Sequence, residues 1–184
     1  MLNRLVSPPW RDFLQEKPWG PFLIAVDSAL LEPVTLHCIG GFVLGVMYNL
    51  PRPTADLDYI AAIPQKAAEA LAEIAGQQSA LAKKHRLFIH SAGVIDVPDS
   101  YADRLIDPGL NLDKLRLLIP EPYDLLLSKL VRNSPKDRED VKFLVKKLKL
   151  EFDILRQRFV EEMKPWLPNA DRHELTLTLW KDYF

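Results

Sequence analysis

The chain has 184 residues, of which 48% are hydrophobic and 27% are charged, and its formal net charge is −1. This composition is ordinary for a compact domain with a hydrophobic core and excludes a disordered chain. The nearly neutral charge excludes a polycationic nucleic-acid binder, so nucleic acid would need a local basic patch. The single cysteine, Cys38, excludes an internal disulfide and is typical of a reducing compartment. With no signal-peptide core and no run of about 20 apolar residues, we expect a cytoplasmic protein that does not bind a membrane.

The first two-thirds of the sequence predict a mixture of helices and strands. A helix is expected over residues 7–16, with Ser7 as its N-cap, and another over residues 20–33, where Pro33 ends it. Apolar and β-branched residues predict strands over residues 34–40, 55–61 and 114–121, and a hairpin of two strands over residues 87–92 and 93–98. Further helices are predicted over residues 41–50 and, with a break near Gly76, over residues 63–85.

The last third predicts helices alone, over residues 123–133, 135–150, 151–166 and 171–184. This order of elements predicts an α+β (mixed α/β) fold, in which helices flank a small mixed sheet and the C-terminal part is all-helical. We expect residues 1–120 to form the α/β core with the N-terminal helices, and residues 121–184 to form a helical subdomain packed on that core.

Residues 56–58, Asp-Leu-Asp, place two carboxylates one residue apart in a predicted strand. Because strand side chains alternate, both acids point to one face, where they repel each other unless a cation lies between them. Mg²⁺ takes such oxygen ligands and keeps positions open for phosphate oxygens. Gly40 and Gly41 come where a strand gives way to a helix, and their bare backbone can approach an anion closely. Either feature alone is common as a plain turn or as a solvated strand edge; together they predict a phosphate site beside a metal site.

The stretch that carries both features is IGGFVLGVMYNLPRPTADLDYI. It resembles the first motif of the nucleotidyltransferase superfamily that includes DNA polymerase β. More narrowly, it resembles the bacterial minimal nucleotidyltransferases related to AbiEii-type toxins and to the DUF6036 group. The matching residues are Gly40, Gly41, Arg52, Thr54, Asp56 and Asp58. The likeness continues through DVPDSYADRL and EPYDLLLSKLVRNSPKDREDVKFL, so that it covers residues 22–150 approximately.

The resemblance implies an enzyme with a nucleotidyltransferase-like core. It would use Mg²⁺ or Mn²⁺ to move a nucleoside monophosphate from a nucleoside triphosphate to an acceptor hydroxyl. By the same resemblance the catalytic and metal-holding residues are Asp56, Asp58 and a third acid, for which we favour Asp96. Asp96 lies between Ile95 and Val97 in a predicted strand; Asp99 is the rival, and either acid could simply be a turn residue.

Residues expected to bind the nucleotide are Gly40, Gly41, Arg52, Thr54, Lys129 and Asp137. Two of these also have plain structural interpretations. Lys129 could extend from a half-buried helix to solvent, and Asp137 could cap a helix that starts at Ser134. From Lys129 to Lys149 there are eight basic residues against three acids, which is typical of a solvated helix face or of a nucleic-acid patch. The four histidines show no zinc-ligand spacing.

The resemblance implies an RNA end such as tRNA as the acceptor, in a toxin–antitoxin setting with a cognate antitoxin; a protein side chain or a small alcohol stays open. The stripe LTLTLWKDYF is interpreted as core or as a dimer contact, so a homodimer is also expected. The alternative to an enzyme is a nucleotide-binding or interaction module of the same fold that has lost turnover.

Overall fold

The structure, a computed structural model, describes residues 13–16 and 18–184 of the chain. These residues form two compact units. The first contains the described residues up to Gly93 together with Ile106–Ile119, and the second contains Val94–Leu105 and Pro120–Phe184. Most of the helix predicted over residues 7–16 lies outside the described residues; residues 13–15 form a single 3-10 turn.

The first unit is built on a mixed sheet. Its strands are β1 (Val34–Ile39), β2 (Asp56–Ile63), β3 (Phe88–Ser91) and β4 (Leu115–Leu118), in the spatial order β3-β2-β1-β4. β1 pairs antiparallel with β2 and parallel with β4, whereas β2 and β3 are parallel. The helices are α1 (Trp19–Ala29), α2 (Gly40–Phe42), α3 (Ala67–Ala75) and α4 (Ala80–His85), and α2 continues directly into a π-helix, Val43–Met47.

The core of this unit lies around the central strands. Leu36 and Cys38 on β1 and Leu57 on β2 are fully buried, as their apolar sequences predict. Asp27 is a buried polar exception on α1, because its carboxylate accepts the backbone N–H groups of Lys114 and Leu115, both at 2.7 Å. Burial opposes ionisation of Asp27, but these backbone donors outweigh it and lower its pKa. α1 is thereby fastened to the start of β4.

The second unit is helical, with α5 (Pro122–Leu127), α6 (Pro135–Leu148), α7 (Phe152–Glu162) and α8 (Ala170–Trp180) followed by a 3-10 turn, Lys181–Tyr183. α6 begins with a capping box, in which Ser134 and Asp137 bond each other's backbone N–H groups, and with Pro135 in its first turn. The buried apolar side chains of the second unit include Leu126, Leu155 and Trp180. The mixed α+β class and the helical C-terminal part are therefore confirmed.

An ion network holds the segment Val94–Leu105 in the second unit. Arg104 donates two hydrogen bonds to Asp124 on α5, both at 2.9 Å, and two to Glu162 on α7, at 3.0 and 2.8 Å. Arg158 pairs with Asp124 at 3.0 Å and also contacts Glu121. Burial raises the pKa of Asp124 more than the bonds from Arg104 lower it. Burial, together with the charge of Arg104, lowers the pKa of Arg158 to about 10.

Two predicted elements differ from the structure. Residues 93–98 form no strand, because Gly93 turns with a φ of 70° and the segment after it folds with the helical unit. The helix predicted over residues 123–133 ends at Leu127, and Asn133 takes a left-handed φ of 41° just before α6. Within the described residues, no helix combines the length and the apolarity that a bilayer crossing requires.

Candidate functional site

Gly40 and Asp58 meet where β1 passes into α2. Gly40 has a φ of +76°, and a Cβ added to it would lie 2.6 Å from Oδ2 of Asp58. The pairing of Ile39 with Asp58 across β1 and β2 brings the two together. Glycine is therefore required at position 40 for two reasons. Residues with a side chain rarely adopt this φ, and the Asp58 carboxylate occupies the space that a side chain would need.

Gly41 makes the equivalent contact with the residues that lead into β2. A Cβ on Gly41 would lie 3.0 Å from Oγ1 of Thr54. The Thr54 hydroxyl in turn donates a short hydrogen bond to Oδ1 of Asp56. The structure thus brings together five of the predicted residues: Gly40, Gly41, Thr54, Asp56 and Asp58.

The two acids lie on the same, more open face of β2. Asp56 and Asp58 are half-buried, whereas Leu57 and Tyr59 between and beyond them are buried. The Asp58 side chain is 25% exposed. Strand alternation therefore presents both carboxylates on a face that solvent and small ions can reach.

His90 on β3 is a neighbour of this site that sequence reasoning missed. In the parallel pairing of β2 with β3, His90 is the register partner of Asp58, and Phe88 is the partner of Asp56. The His90 Nδ1 atom lies 3.5 Å from Oδ1 of Asp58. The sequence showed only a histidine two residues after Phe88 in a predicted strand. The sequence of one strand does not determine its register with another, so the contact with Asp58 could not be predicted.

Arg52 lies between the glycines and the acids along the chain. It is half-buried, and its backbone N–H donates to the Leu50 carbonyl at 2.7 Å. The loop that contains it closes the connection from the π-helix to β2 within the first unit. Its expected role toward a nucleotide stays a prediction.

Lys129 and Asp137 belong to the second unit, where both are buried. Nζ of Lys129 lies 2.9 Å from Asp140 and 3.6 Å from Asp137. Asp137 also accepts hydrogen bonds from Arg132, at 2.7 and 2.5 Å. Burial opposes ionisation of Asp137, but the bonds from Arg132 and Ser134 outweigh it and hold its pKa well below the ordinary range. The capping interpretation of Asp137 is confirmed. Lys129 forms buried ion pairs, so the interpretation that it extends to solvent is wrong.

Asp140 was missed in the sequence, although a signal for it exists. Asp137, Asp140, Val141 and Leu144 follow the three- and four-residue spacing of one helix face, and all four are buried. Two acids on a buried helix face predict a buried cation, which Lys129 supplies.

Asp96, the favoured third acid, is half-buried in the second unit, and its rival Asp99 is exposed. Because residues 93–98 form no strand, the alternation that favoured Asp96 does not apply. Its role as third acid therefore stays a prediction. In the part of the chain that the structure describes, no three or more His, Cys, Asp or Glu side chains form a ready-made metal site.

Comparison with known proteins agrees with the glycine and acid pattern. No curated protein and no solved structure matches the chain significantly. A family model described as "nucleotidyltransferase of unknown function" matches residues 26–184, which include the glycine pair, both acids and the second unit's helices. As that match covers most of the sequence, the chain belongs to the DUF6036 family of nucleotidyltransferases.

Proposed function

We propose that this protein transfers a nucleoside monophosphate from a nucleoside triphosphate to an acceptor hydroxyl, with Mg²⁺ or Mn²⁺ as its cofactor. The observation that carries the proposal is the contact between Gly40 and Asp58, because it joins a phosphate-binding type of turn to a carboxylate pair. Membership of a nucleotidyltransferase family supports the same class of reaction.

The residues at this site fit a hard divalent ion. Asp56 and Asp58 present carboxylate oxygens on one accessible face, and oxygen is the donor that Mg²⁺ prefers. Because Gly40 has no side chain, the Asp58 carboxylate can lie against the backbone there, and Thr54 donates a hydrogen bond to Asp56. These two acids, with Asp96 as the proposed third, would hold the ion. When bound, such an ion supplies positive charge against the triphosphate and the developing charge of the reaction.

The reaction exchanges one phosphorus–oxygen bond for another. The acceptor oxygen bonds to the α-phosphorus while the bond from that phosphorus to the bridging oxygen of pyrophosphate breaks. Pyrophosphate leaves, and the proton of the acceptor hydroxyl passes to solvent. We assign phosphate binding to the backbone of Gly40 and Gly41, whose missing side chains permit close approach. The supporting residues of the proposal are Arg52, Thr54, Lys129 and Asp137.

An RNA acceptor, such as a tRNA end, is supported by the exposed face of α6. Two of its exposed lysines lie near aromatic rings: Nζ of Lys142 is 4.7 Å from the centre of the Tyr183 ring, and Nζ of Lys147 is 5.5 Å from that of Phe143. Basic groups beside aromatic rings suit phosphates and bases together. A toxin-like role with a cognate antitoxin, and a homodimer, are further parts of the proposal. A protein side chain or a small alcohol remains the competing acceptor.

A nucleotide-binding module without turnover is the second candidate. The burial of Lys129 and Asp137 favours it, because ion pairing and helix capping already account for both residues. Lys129 and Asp137 therefore contribute to folding whether or not the protein has transferase activity.

One assay separates the two candidates. Purified protein is incubated with Mg²⁺ and each labelled nucleoside triphosphate, together with total RNA or with protein extract. We expect label to transfer to one acceptor class and to disappear in an Asp56→Asn/Asp58→Asn variant. Glu73→Gln, an exposed acid on α3, is the matched control and should transfer normally. Transfer that persists in the double variant would contradict the enzymatic proposal, and metal-dependent nucleotide binding without any transfer would favour the module.

A further inference from the structure

His90 contributes a nitrogen donor beside the carboxylate pair. It lies on β3 in register with Asp58, and its Nδ1 atom is 3.5 Å from Oδ1 of Asp58. Its side chain is 62% exposed, more than twice the 25% of Asp58. The imidazole is therefore held beside the acid by the sheet and is open to solvent on its other side.

The separation suits two ligands of one ion better than a hydrogen bond. Nitrogen-to-oxygen hydrogen bonds are about 2.7–3.2 Å long, so the 3.5 Å between His90 and Asp58 exceeds that range. Two donor atoms that each lie about 2.1 Å from a metal ion are roughly 3 Å apart at a right angle and roughly 4 Å apart when opposite. The observed value falls between these limits, so the two atoms could share an ion without movement of the strands.

The donor atoms of a site determine which metal ion it binds most tightly. Mg²⁺ binds oxygen and takes imidazole poorly, whereas Mn²⁺ and the later transition metals accept both. We propose that His90 is a metal ligand beside Asp58, and that it gives the site a preference for a transition-metal ion such as Mn²⁺ over Mg²⁺. The inference rests on the proposed function, because it takes Asp58 as a residue that holds metal.

The competing explanation is a simple electrostatic pair between imidazole and carboxylate. The two explanations predict opposite signs. Removal of a ligand weakens Mn²⁺ binding, whereas removal of positive charge beside the acids makes the local potential more negative and tightens the binding of any divalent ion. Mg²⁺ is the internal reference, since loss of a nitrogen ligand should change its binding little.

The test is a titration of the full chain with Mn²⁺ at pH 7.5, in which electron paramagnetic resonance counts free Mn²⁺, with Mg²⁺ affinity obtained by competition. His90→Val keeps a strand-forming side chain and removes the donor; His90→Gln replaces nitrogen by a harder amide oxygen. We expect the Mn²⁺ dissociation constant to rise about tenfold or more in His90→Val, with Mg²⁺ affinity unchanged within about twofold. In His90→Gln the preference for Mn²⁺ over Mg²⁺ should also fall. His173→Gln on α8 is the control and should bind as the unaltered protein does.

An Asp58→Asn arm separates the failure of this inference from that of the proposed function. If Asp58→Asn weakens Mn²⁺ binding while both His90 variants bind Mn²⁺ as tightly as the unaltered protein, or more tightly, the ligand role of His90 is wrong and the metal site stands. If Asp58→Asn leaves Mn²⁺ binding unchanged, the metal site itself is wrong and the inference falls with it. Circular dichroism melting of each variant checks that the protein has kept its overall fold.

Discussion

The carboxylate pair of the first unit and three aspartates of the second unit differ in how deeply they are buried. In the first unit the side chain of Asp58 is 25% exposed, and it lies beside an imidazole. In the second unit the side chains of Asp124, Asp137 and Asp140 are at most 2% exposed, and each pairs with arginine or lysine. A buried carboxylate needs cations or hydrogen-bond donors from its own protein, whereas an accessible pair can bind a cation from solution.

This difference separates acids that hold the fold from acids that are available for chemistry. Substitutions of the three buried aspartates should lower the free energy of unfolding, and substitutions of Asp56 and Asp58 should lower activity while stability is kept. The same residue type in one chain thus gives two kinds of effect, and each can be measured independently of the other.

The largest expected effect is on the transfer reaction in Asp56→Asn or Asp58→Asn. Each change removes a charge that the proposed metal needs, so we expect the rate to fall by about 10³-fold or more, equivalent to about 4 kcal/mol. The melting temperature should stay the same or rise slightly, because two like charges on one strand face no longer repel each other. Initial rates of label transfer test the predicted loss of activity, and calorimetric melting tests the predicted stability. A variant that loses activity only because it unfolds would show that these two acids, like the buried acids of the second unit, serve stability.

Asp124→Ala should produce the largest loss of stability. Removal of this fully buried carboxylate leaves the half-buried Arg104 and Arg158 without the partner that they share, for which we expect a cost of about 3 kcal/mol. Asp171→Ala is the matched control, since the Asp171 side chain is 97% exposed and lies 3.4 Å from Lys164. Solvent screens that surface pair, so its loss should change the free energy of unfolding little. Urea unfolding of both variants measures the difference, and equal losses would show that burial does not set the value of these pairs.

The sequence predicted what depends on residues close together along the chain. The glycine pair and the two acids lie within about twenty residues, and a single strand–helix–strand passage brings Gly40 against Asp58. Strand alternation correctly placed both acids on one face. The capping role of Asp137 was also local, because Ser134 is only three residues away.

What depends on distant partners could not be predicted. His90 meets Asp58 through strand register, and Arg104 reaches Glu162 across 58 residues of sequence. The expected strand over residues 93–98 failed for the same reason, since the chain after Gly93 belongs to the second unit, where the Ser100 N–H donates to Glu162 at 3.2 Å. Pattern alone carries no information about which unit such a segment joins.

Gly40→Ala should disturb the accessible site more than the same change at Gly109. Both glycines have a positive φ, +76° and +70°, so both variants should lose about 1 kcal/mol from backbone strain. Only Gly40 has a carboxylate where the new methyl group would go, and we expect a further 1–3 kcal/mol or so from that overlap. Displacement of Asp58 should also weaken Mn²⁺ binding in Gly40→Ala alone. Equal destabilisation and equal Mn²⁺ affinity in the two variants would contradict the contact between Gly40 and Asp58.

The smallest expected effect is a change in acid stability on Asp137→Asn. The pKa of Asp137 in the folded protein lies below its ordinary value, so its contribution is present above about pH 3.9, the unfolded value, and is lost as the pH falls toward the folded one. Asp124 has the opposite sign, because its raised pKa makes the folded state take up a proton first on acidification. Unfolding free energies at pH 7 and pH 3 should therefore differ by less in Asp137→Asn than in the unaltered protein, by on the order of 1–2 kcal/mol. An unchanged difference would mean that Arg132, Ser134 and Lys129 do not stabilise the charged form of Asp137.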